Sequence, residues 1–176
     1  PAEIDNCNSD SIYIVTHKKQ AYSHNKKMLD KLHGKTYKFE ASFSKWYGDW
    51  PADRTLYLKV GAHVIFLKNK DGEYCNGDMG VVTDIDEYFE TVTVRMNDSG
   101  RLIEVERDEW TNYEYIFDEQ TKKLEVRGYQ KFEQIPLGLG WAITVHKSQG
   151  LTFDKVMLNT KRSFAEGQAY VALSRC

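Results

Sequence analysis

The sequence predicts an α/β domain built on a parallel sheet and interrupted by a small antiparallel β-barrel. Three observations lead there. First, continuous apolar runs stand towards both ends, SIYIVT (11–16), GWAITV (140–145) and DKVMLN (154–159), as expected of strands buried on both faces of a parallel sheet. Second, from residue 60 to residue 134 the hydrophobic period changes to two and short segments alternate with turns. Third, residues 1–70 carry 12 Lys and Arg against 7 Asp and Glu, residues 71–134 carry 7 against 17, and residues 135–176 carry 5 against 2. An acidic module would thus interrupt a basic domain that has an anionic partner. Uneven surface charge on an ordinary soluble protein gives the same counts, and charge alone leaves the two readings level.

Taken in order, SIYIVT reads as a buried strand. HKKQAYSHNKKMLDKLHG (17–34) places Ala21, Asn25, Met28, Leu29 and Leu32 on one helical face, with Gly34 where a helix C-terminus favours glycine. Strand, polar turn and helix form one unit of an α/β domain. HGKT (33–36) resembles the tail of a phosphate-binding loop, but Leu29 occupies the position that needs the first glycine, and a helix precedes it instead of a strand. No other stretch comes closer to a nucleotide cradle. FSKWYGDWP (43–51) interleaves Phe43, Trp46, Tyr47 and Trp50 with Lys45. Base stacking is one use of such rings; burial of a connecting loop is the reading preferred here.

The alternating segments follow. VGAHVIFLKN (60–69), GVVTDID (80–86), TVTVRM with RLIEVER about an NDSG turn, NYEYIF (112–117) and KLEVRGYQKF (123–132) give five or six short antiparallel strands. The chain then returns to α/β with GWAITV and DKVMLN. SFAEGQAYVALSR (163–175) opens on Ser163 and Glu166 as a capping box, and Ala165, Ala169, Ala172 and Leu173 form the buried stripe of a helix. Gly167 within that helix costs about 1 kcal/mol against Ala, so close approach of a neighbour is expected there.

VHKSQG (145–150) lies where a parallel strand ends and its loop begins, the edge at which open α/β sheets bind ligands. Lys147 offers charge, Ser148 a hydroxyl, Gln149 an amide, and Gly150 allows close backbone approach, a set suited to phosphate oxygens. An ordinary solvated loop is the plainer alternative.

The 176 residues can bury a real core, and 41% hydrophobic with 28% charged residues is usual for a soluble globular protein. No apolar run approaches the ~20 residues of a membrane span, and PAEIDNCNSD does not read as a signal peptide. Cys7, Cys75 and Cys176 fit neither a disulfide framework nor a zinc site. His17, His24, His33, His63 and His146 lack the spacing of metal ligands. A cytoplasmic monomer with no metal of its own and no membrane contact is the expectation.

AITVHKSQGLTFDKV (142–156) followed by EGQAYVALSR (166–175) resembles motifs V and VI of superfamily 1 helicases of the RecD and Pif families. IPLGLGWAITVHKSQG (135–150) is similar to their approach to motif V, and VGAHVIFLKN with NGDMGVV to their approach to an inserted Src-homology-3-like barrel. IYIVTHKKQAYSHNKKMLDKLHG is similar, more loosely, to their motif IV region. The resemblance implies the second RecA-like motor domain of a 5′→3′ DNA helicase, at residues 1–59 and 135–176, interrupted by an SH3-like barrel at 60–134. It implies that ATP and Mg²⁺ lie against a missing N-terminal RecA-like domain that carries the phosphate loop, so this fragment alone binds neither. A chain that starts just before a strand and stops one residue after Arg175 agrees with half a motor.

Residue by residue, the resemblance makes Arg175 the catalytic arginine that reaches the γ-phosphate, with Gln149, Gly150 and Gln168 on the nucleotide side. Thr144, His146, Lys147 and Ser148 would hold the backbone of single-stranded DNA. Thr16 and His17 would touch phosphate, although a helix cap also explains Thr16. Gly138 stands where these helicases often have a basic residue. The helicase portion of a conjugative relaxase or of another multidomain nuclease shares these motifs. A non-catalytic nucleic-acid- or protein-binding module, with the barrel as its working part, is the alternative from another class.

Overall fold

The computed structural model describes residues 12–44, 46, 48–118, 122–145, 147–148 and 156–158. Ile12–Val15 form strand β1 with all four side chains buried. Such a run is apolar without alternation because both faces of the sheet are covered. Helix α1, Lys18–Lys31, follows; it is shorter than the expected 17–34 because His17 and Leu32 already have extended backbone. Gly34 then turns the chain with φ +104°. HGKT therefore leaves a helix and leads into a strand, and Lys35 is paired with Glu87, an arrangement unlike a phosphate cradle.

Residues 34–59 hold three strands that the sequence reading does not assign: β2 (Tyr37–Glu40), β3 (Ser42–Ser44) and β4 (Thr55–Leu58). β2 and β4 pair antiparallel and contribute the buried Phe39, Leu56 and Leu58 to the main core. Five strands match expected ones: β5 (His63–Phe66), β6 (Met79–Asp86), β7 (Thr91–Met96), β8 (Leu102–Val105) and β9 (Asp108–Asp118). So does β10 (Lys123–Gln134), while β11 (Leu137–Leu139) is new. The last strands, β12 (Ala142–Thr144) and β13 (Val156–Leu158), are the central parts of GWAITV and DKVMLN. The expected helix at 163–175, with Ser163, Glu166 and Gly167, lies outside the described residues.

The described residues form four sheets: parallel β12-β1-β13, antiparallel β11-β5-β6-β7-β8, antiparallel β3-β10-β9, and the β2-β4 pair. β11 pairs with β5, so the antiparallel sheet takes in residues beyond 134. The parallel sheet is covered on both faces. On one, Tyr13, Val15 and Ala142 pack with Ala21 of α1 and with Met157. On the other, Ile12, Ile14, Ile143 and Val145 pack with Ile65 of β5, and Leu67, Met79 and Val156 complete that cluster. Ile65 thus ties the antiparallel sheet to the parallel one.

Two polar anchors join the remaining elements. Gln134, fully buried, donates from Nε2 to the carbonyls of Phe39 and Asp53 at 3.1 Å each and accepts from the Ile135 N–H at 3.0 Å. Both its donors and an acceptor lone pair are used, as a buried amide requires. Arg107 grips Glu90 through two hydrogen bonds of 2.6 and 3.0 Å and also donates to the Glu40 carbonyl at 2.9 Å. Beside them, the buried Phe132 is ringed by Phe43, Trp46, Trp50 and Trp110 at 5.5–6.4 Å between centroids. Phe43, Trp46 and Trp50 therefore pack on Phe132, with the Arg54 guanidinium over Phe43 and Trp50, although Phe43 stays 43% exposed; Lys45 and Tyr47 lie outside the described residues.

Gln134→Leu should remove the side-chain bonds to the Phe39 and Asp53 carbonyls and leave the buried Ile135 N–H without its side-chain acceptor. We expect a loss of about 3 kcal/mol, measured by urea unfolding of the two proteins; a loss under about 0.5 kcal/mol would show that the amide is not the anchor of the β2-β4 pair.

Candidate nucleic-acid interface at the edge of the parallel sheet

β1 and β12 run side by side and parallel, with Tyr13, Ile14 and Val15 opposite Ala142, Ile143 and Thr144. Parallel neighbours end at the same edge, so the residues after β1 and those after β12 must meet there. The Val145 N–H donates to the Val15 carbonyl at 2.9 Å and continues the ladder to that edge. Thr16 and His17 stand at the end of one strand, and Thr144, Lys147 and Ser148 at the end of the other.

The turn after β12 is held by its own polar groups. The Ser148 N–H donates to the carbonyls of Thr144 and Val145 at 3.0 and 3.2 Å. The Ser148 hydroxyl donates to the Val145 carbonyl at 2.7 Å, and the Lys147 N–H to the Thr144 hydroxyl at 3.4 Å. Ser148 is fully buried and Thr144 nearly so. Their side chains shape the turn, while Lys147 alone of the three is exposed. On the other strand, His17 is the N-cap of α1; its side chain makes no capping bond, and its carbonyl accepts from the Gln20 and Ala21 N–H groups. Thr16 is half-buried and reaches only Gln20, at 3.5 Å, so it does not cap the helix. The edge thus presents exposed His17, Lys18 and Lys147 around a rigid turn. His146, Gln149, Gly150, Gln168 and Arg175 lie outside the described residues.

Sequence reasoning missed what holds β12 in place. Asn25, counted with the apolar stripe of α1, donates from Nδ2 to the carbonyls of Leu139 and Ala142 at 3.2 and 2.8 Å. It also accepts from the Ala142 N–H at 2.7 Å. An amide among apolar helix positions was the available signal. Gly140 is the second: a Cβ there would lie 2.9 Å from the Val64 carbonyl carbon, so only glycine lets the chain pass β5 this closely. Trp141 then stacks on His63 at 5.5 Å. Among the described residues no group of three or more His, Cys, Asp or Glu is placed to hold a metal, and no helix is long and apolar enough to cross a membrane.

On α1 itself, His24 lies 5.1 Å from the Tyr13 ring. Burial, and then the charges of Lys27 and Lys31, hold its pKa below the usual 6.5.

No family model matches the chain. The ATP-dependent DNA helicase PIF1 of Homo sapiens is 33% identical over 172 residues, covering 92% of this chain and 25% of that protein. The fold is shared with an unliganded Pif1 from Bacteroides, with TM-score 0.83, 37% identity, and cover of 96% of this chain and 38% of that one. A Bacteroides Pif1 helicase in complex with ADP-AlF3 and single-stranded DNA aligns with TM-score 0.77 and 36% identity over 100% of this chain and 40% of that one. The chain therefore spans a quarter to two fifths of the length of these proteins.

Two outcomes follow from this geometry. Asn25→Leu should cost about 2 kcal/mol and lower amide hydrogen-exchange protection in β12 more than in β6; equal losses in both strands would deny the clamp a local role. In NMR titrations His24 should titrate below 6.5. The folded state then binds its proton less well than the unfolded state. Stability is therefore full above 6.5 and falls as pH drops from there to the folded pKa. His24→Gln should flatten that fall, and an unchanged slope would refute it.

Proposed function

This chain belongs to the Pif1 family of DNA helicases, and from that premise we propose that it is the C-terminal motor half of a 5′→3′ ATP-dependent enzyme. In this reading the parallel sheet with α1 is the core of a RecA-like second motor domain. The antiparallel strands from β5 onward are an inserted SH3-like barrel, and pairing of β11 with β5 argues for closing that insert at 139 instead of 134. Single-stranded DNA runs along the C-terminal edge of β1 and β12. ATP and Mg²⁺ are held chiefly by the N-terminal RecA-like domain, with Gln149, Gly150, Gln168 and Arg175 facing them.

The observation that carries this reading is the meeting of the β1 and β12 ends at one sheet edge, where ligands of open α/β sheets bind. The alignment with a Bacteroides Pif1 that holds both single-stranded DNA and ADP-AlF3 adds support. Lys147 contributes the charge that meets a phosphate. The buried hydroxyls of Thr144 and Ser148 contribute indirectly, by fixing the turn that presents the exposed Lys147. Arg175 contributes positive charge where the transferred phosphoryl group gains negative charge, and stabilisation confined to the transition state raises turnover without tightening the ground state.

In the full-length enzyme, Arg175→Ala should lower DNA-stimulated ATP hydrolysis by ~10³-fold or more and leave single-strand affinity within a few-fold of the parent. Lys147→Ala should weaken DNA binding and reduce its salt slope by about one while keeping most of the turnover at saturating DNA. If both substitutions gave one phenotype in ATPase and filter-binding assays, the separation of nucleotide and DNA faces would be wrong.

A further inference from the structure

Helix α1 carries five lysines and one acid, Asp30. Its first turn holds Lys18 and Lys19 and no Asp or Glu, which sets cations against the positive end of the helix dipole. Lys27 and Lys31 add a like-charge pair one turn apart. Among the described residues Lys19, Lys26 and Lys27 have no ion-pair partner, and Asp30 reaches neither Lys26 nor Lys27. Their field is felt inward as well: after burial, the charges of Lys27 and Lys31 depress the pKa of His24. A helix that carries this much uncompensated repulsion is arranged for an anion.

At 3.6 residues per turn, Lys19, Ser23, Lys26 and Lys27 lie on the side of α1 away from Ala21, Asn25 and Leu29, which face the core. All four are exposed. From Lys19 to Lys27 is about 12 Å of helix axis, and a nucleic-acid strand carries one charge per ~3.4 Å. The three ammonium groups therefore match about three phosphates. Tyr22, 66% exposed, stands one turn from both Lys19 and Lys26, a ring open to a base. The face begins beside the ends of β1 and β12 at Lys18, which pairs with Asp49 at 3.0 Å with side chains 77% and 92% exposed. So open a pair contributes little and yields to a phosphate. An acidic peptide would use the charges and leave Tyr22 idle, whereas a nucleic-acid strand uses both.

We propose that the outer face of α1 is a second contact for single-stranded nucleic acid, in which Lys19, Lys26 and Lys27 bind phosphates and Tyr22 stacks a base of the strand that has crossed the β1–β12 edge. Contacts to phosphate carry no sequence information, so this one is blind to sequence and lengthens the footprint of the enzyme by about three nucleotides. It rests on the edge reading above for its path, because the strand reaches α1 past the exposed His17 and Lys18.

Affinity for oligothymidylates of increasing length tests it in the full-length enzyme. Lys19→Gln, Lys26→Gln and Lys27→Gln combined should leave the shortest strands unaffected and weaken long ones about tenfold or more. The length at which affinity levels off should fall by about three nucleotides, and the salt slope for long strands by about two. Arg at the same three positions should keep the parent slope. Tyr22→Ala should weaken long strands about fivefold or more with the slope unchanged. These residues are exposed, and an unchanged circular dichroism melt shows that the fold is intact. Parent affinity and slope at every length in the combined variant, or Tyr22→Ala without effect, would overturn the proposal; the edge reading would still stand if Lys147→Ala weakened the shortest strands. Equal weakening of short and long strands would also overturn it, since the lysines would then belong to the edge. Loss of polyglutamate binding with no loss of DNA binding would assign the face to an acidic protein instead. If Lys147→Ala weakened no strand while the combined variant weakened long ones, the edge reading alone would fail.

Discussion

The amide of Asn25 holds the strand that ends at the edge proposed to meet DNA. It is the polar member of a helix face otherwise made of Ala21, Met28, Leu29 and Leu32, and it brackets the chain from Leu139 to Ala142 with three hydrogen bonds. Buried backbone groups need partners; at the entry to a three-residue strand beside a helix, the ladder alone supplies too few. Asn25 fills the gap and, in doing so, sets the height of β12 against β1. Everything after Thr144 inherits that register. With β12 one residue out of step, Thr144 and Val145 would exchange faces, and the turn closed by the Ser148 hydroxyl could not form where it does.

The second constraint is that neither face of the parallel sheet is free. Helix α1 covers one face, and Ile65 with Leu67 and Met79 of the antiparallel strands covers the other. The strands preceding the turns at the proposed interface are thus wedged between two layers. This also makes the antiparallel module part of the core that supports the parallel sheet. Gly140 belongs to the same arrangement, since the passage from β11 to β12 runs against the backbone of β5 and leaves no room for a side chain.

Polar anchors do for the antiparallel module what Asn25 does for the parallel sheet. Gln134 stands at the end of β10 and ties together residues that are 81 and 95 positions away in sequence. Arg107 fixes the turn that carries Glu90, whose φ of +53° is a conformation side chains seldom adopt, to the junction after β2. The aromatic cluster about Phe132 fills the space between these anchors. Its rings contact one another and Arg54, which is the physical reason Phe43, Trp46 and Trp50 act as packing.

Much was legible in the sequence because the signals are local. The apolar run IYIV required a strand covered on both faces, the stripe in 18–31 required a helix, and alternation in 79–105 required half-buried antiparallel strands. HKSQG followed by YVALSR, in that order and spacing, sufficed to identify the helicase family. The short β2, β3, β4 and β11 were not legible, since three or four residues carry too little periodicity to separate a strand from a loop. Nor could the sequence tell that the hydroxyls of Thr144 and Ser148 turn inward while Lys147 faces out. A Ser or Thr beside a Lys is compatible with either, and only the closing of the turn onto the Val145 carbonyl decides it. The roles of Asn25 and Gln134 were likewise settled by tertiary structure alone. A side-chain amide declares its partners only when the chain brings distant carbonyls within hydrogen-bonding reach of it, here 2.8–3.2 Å.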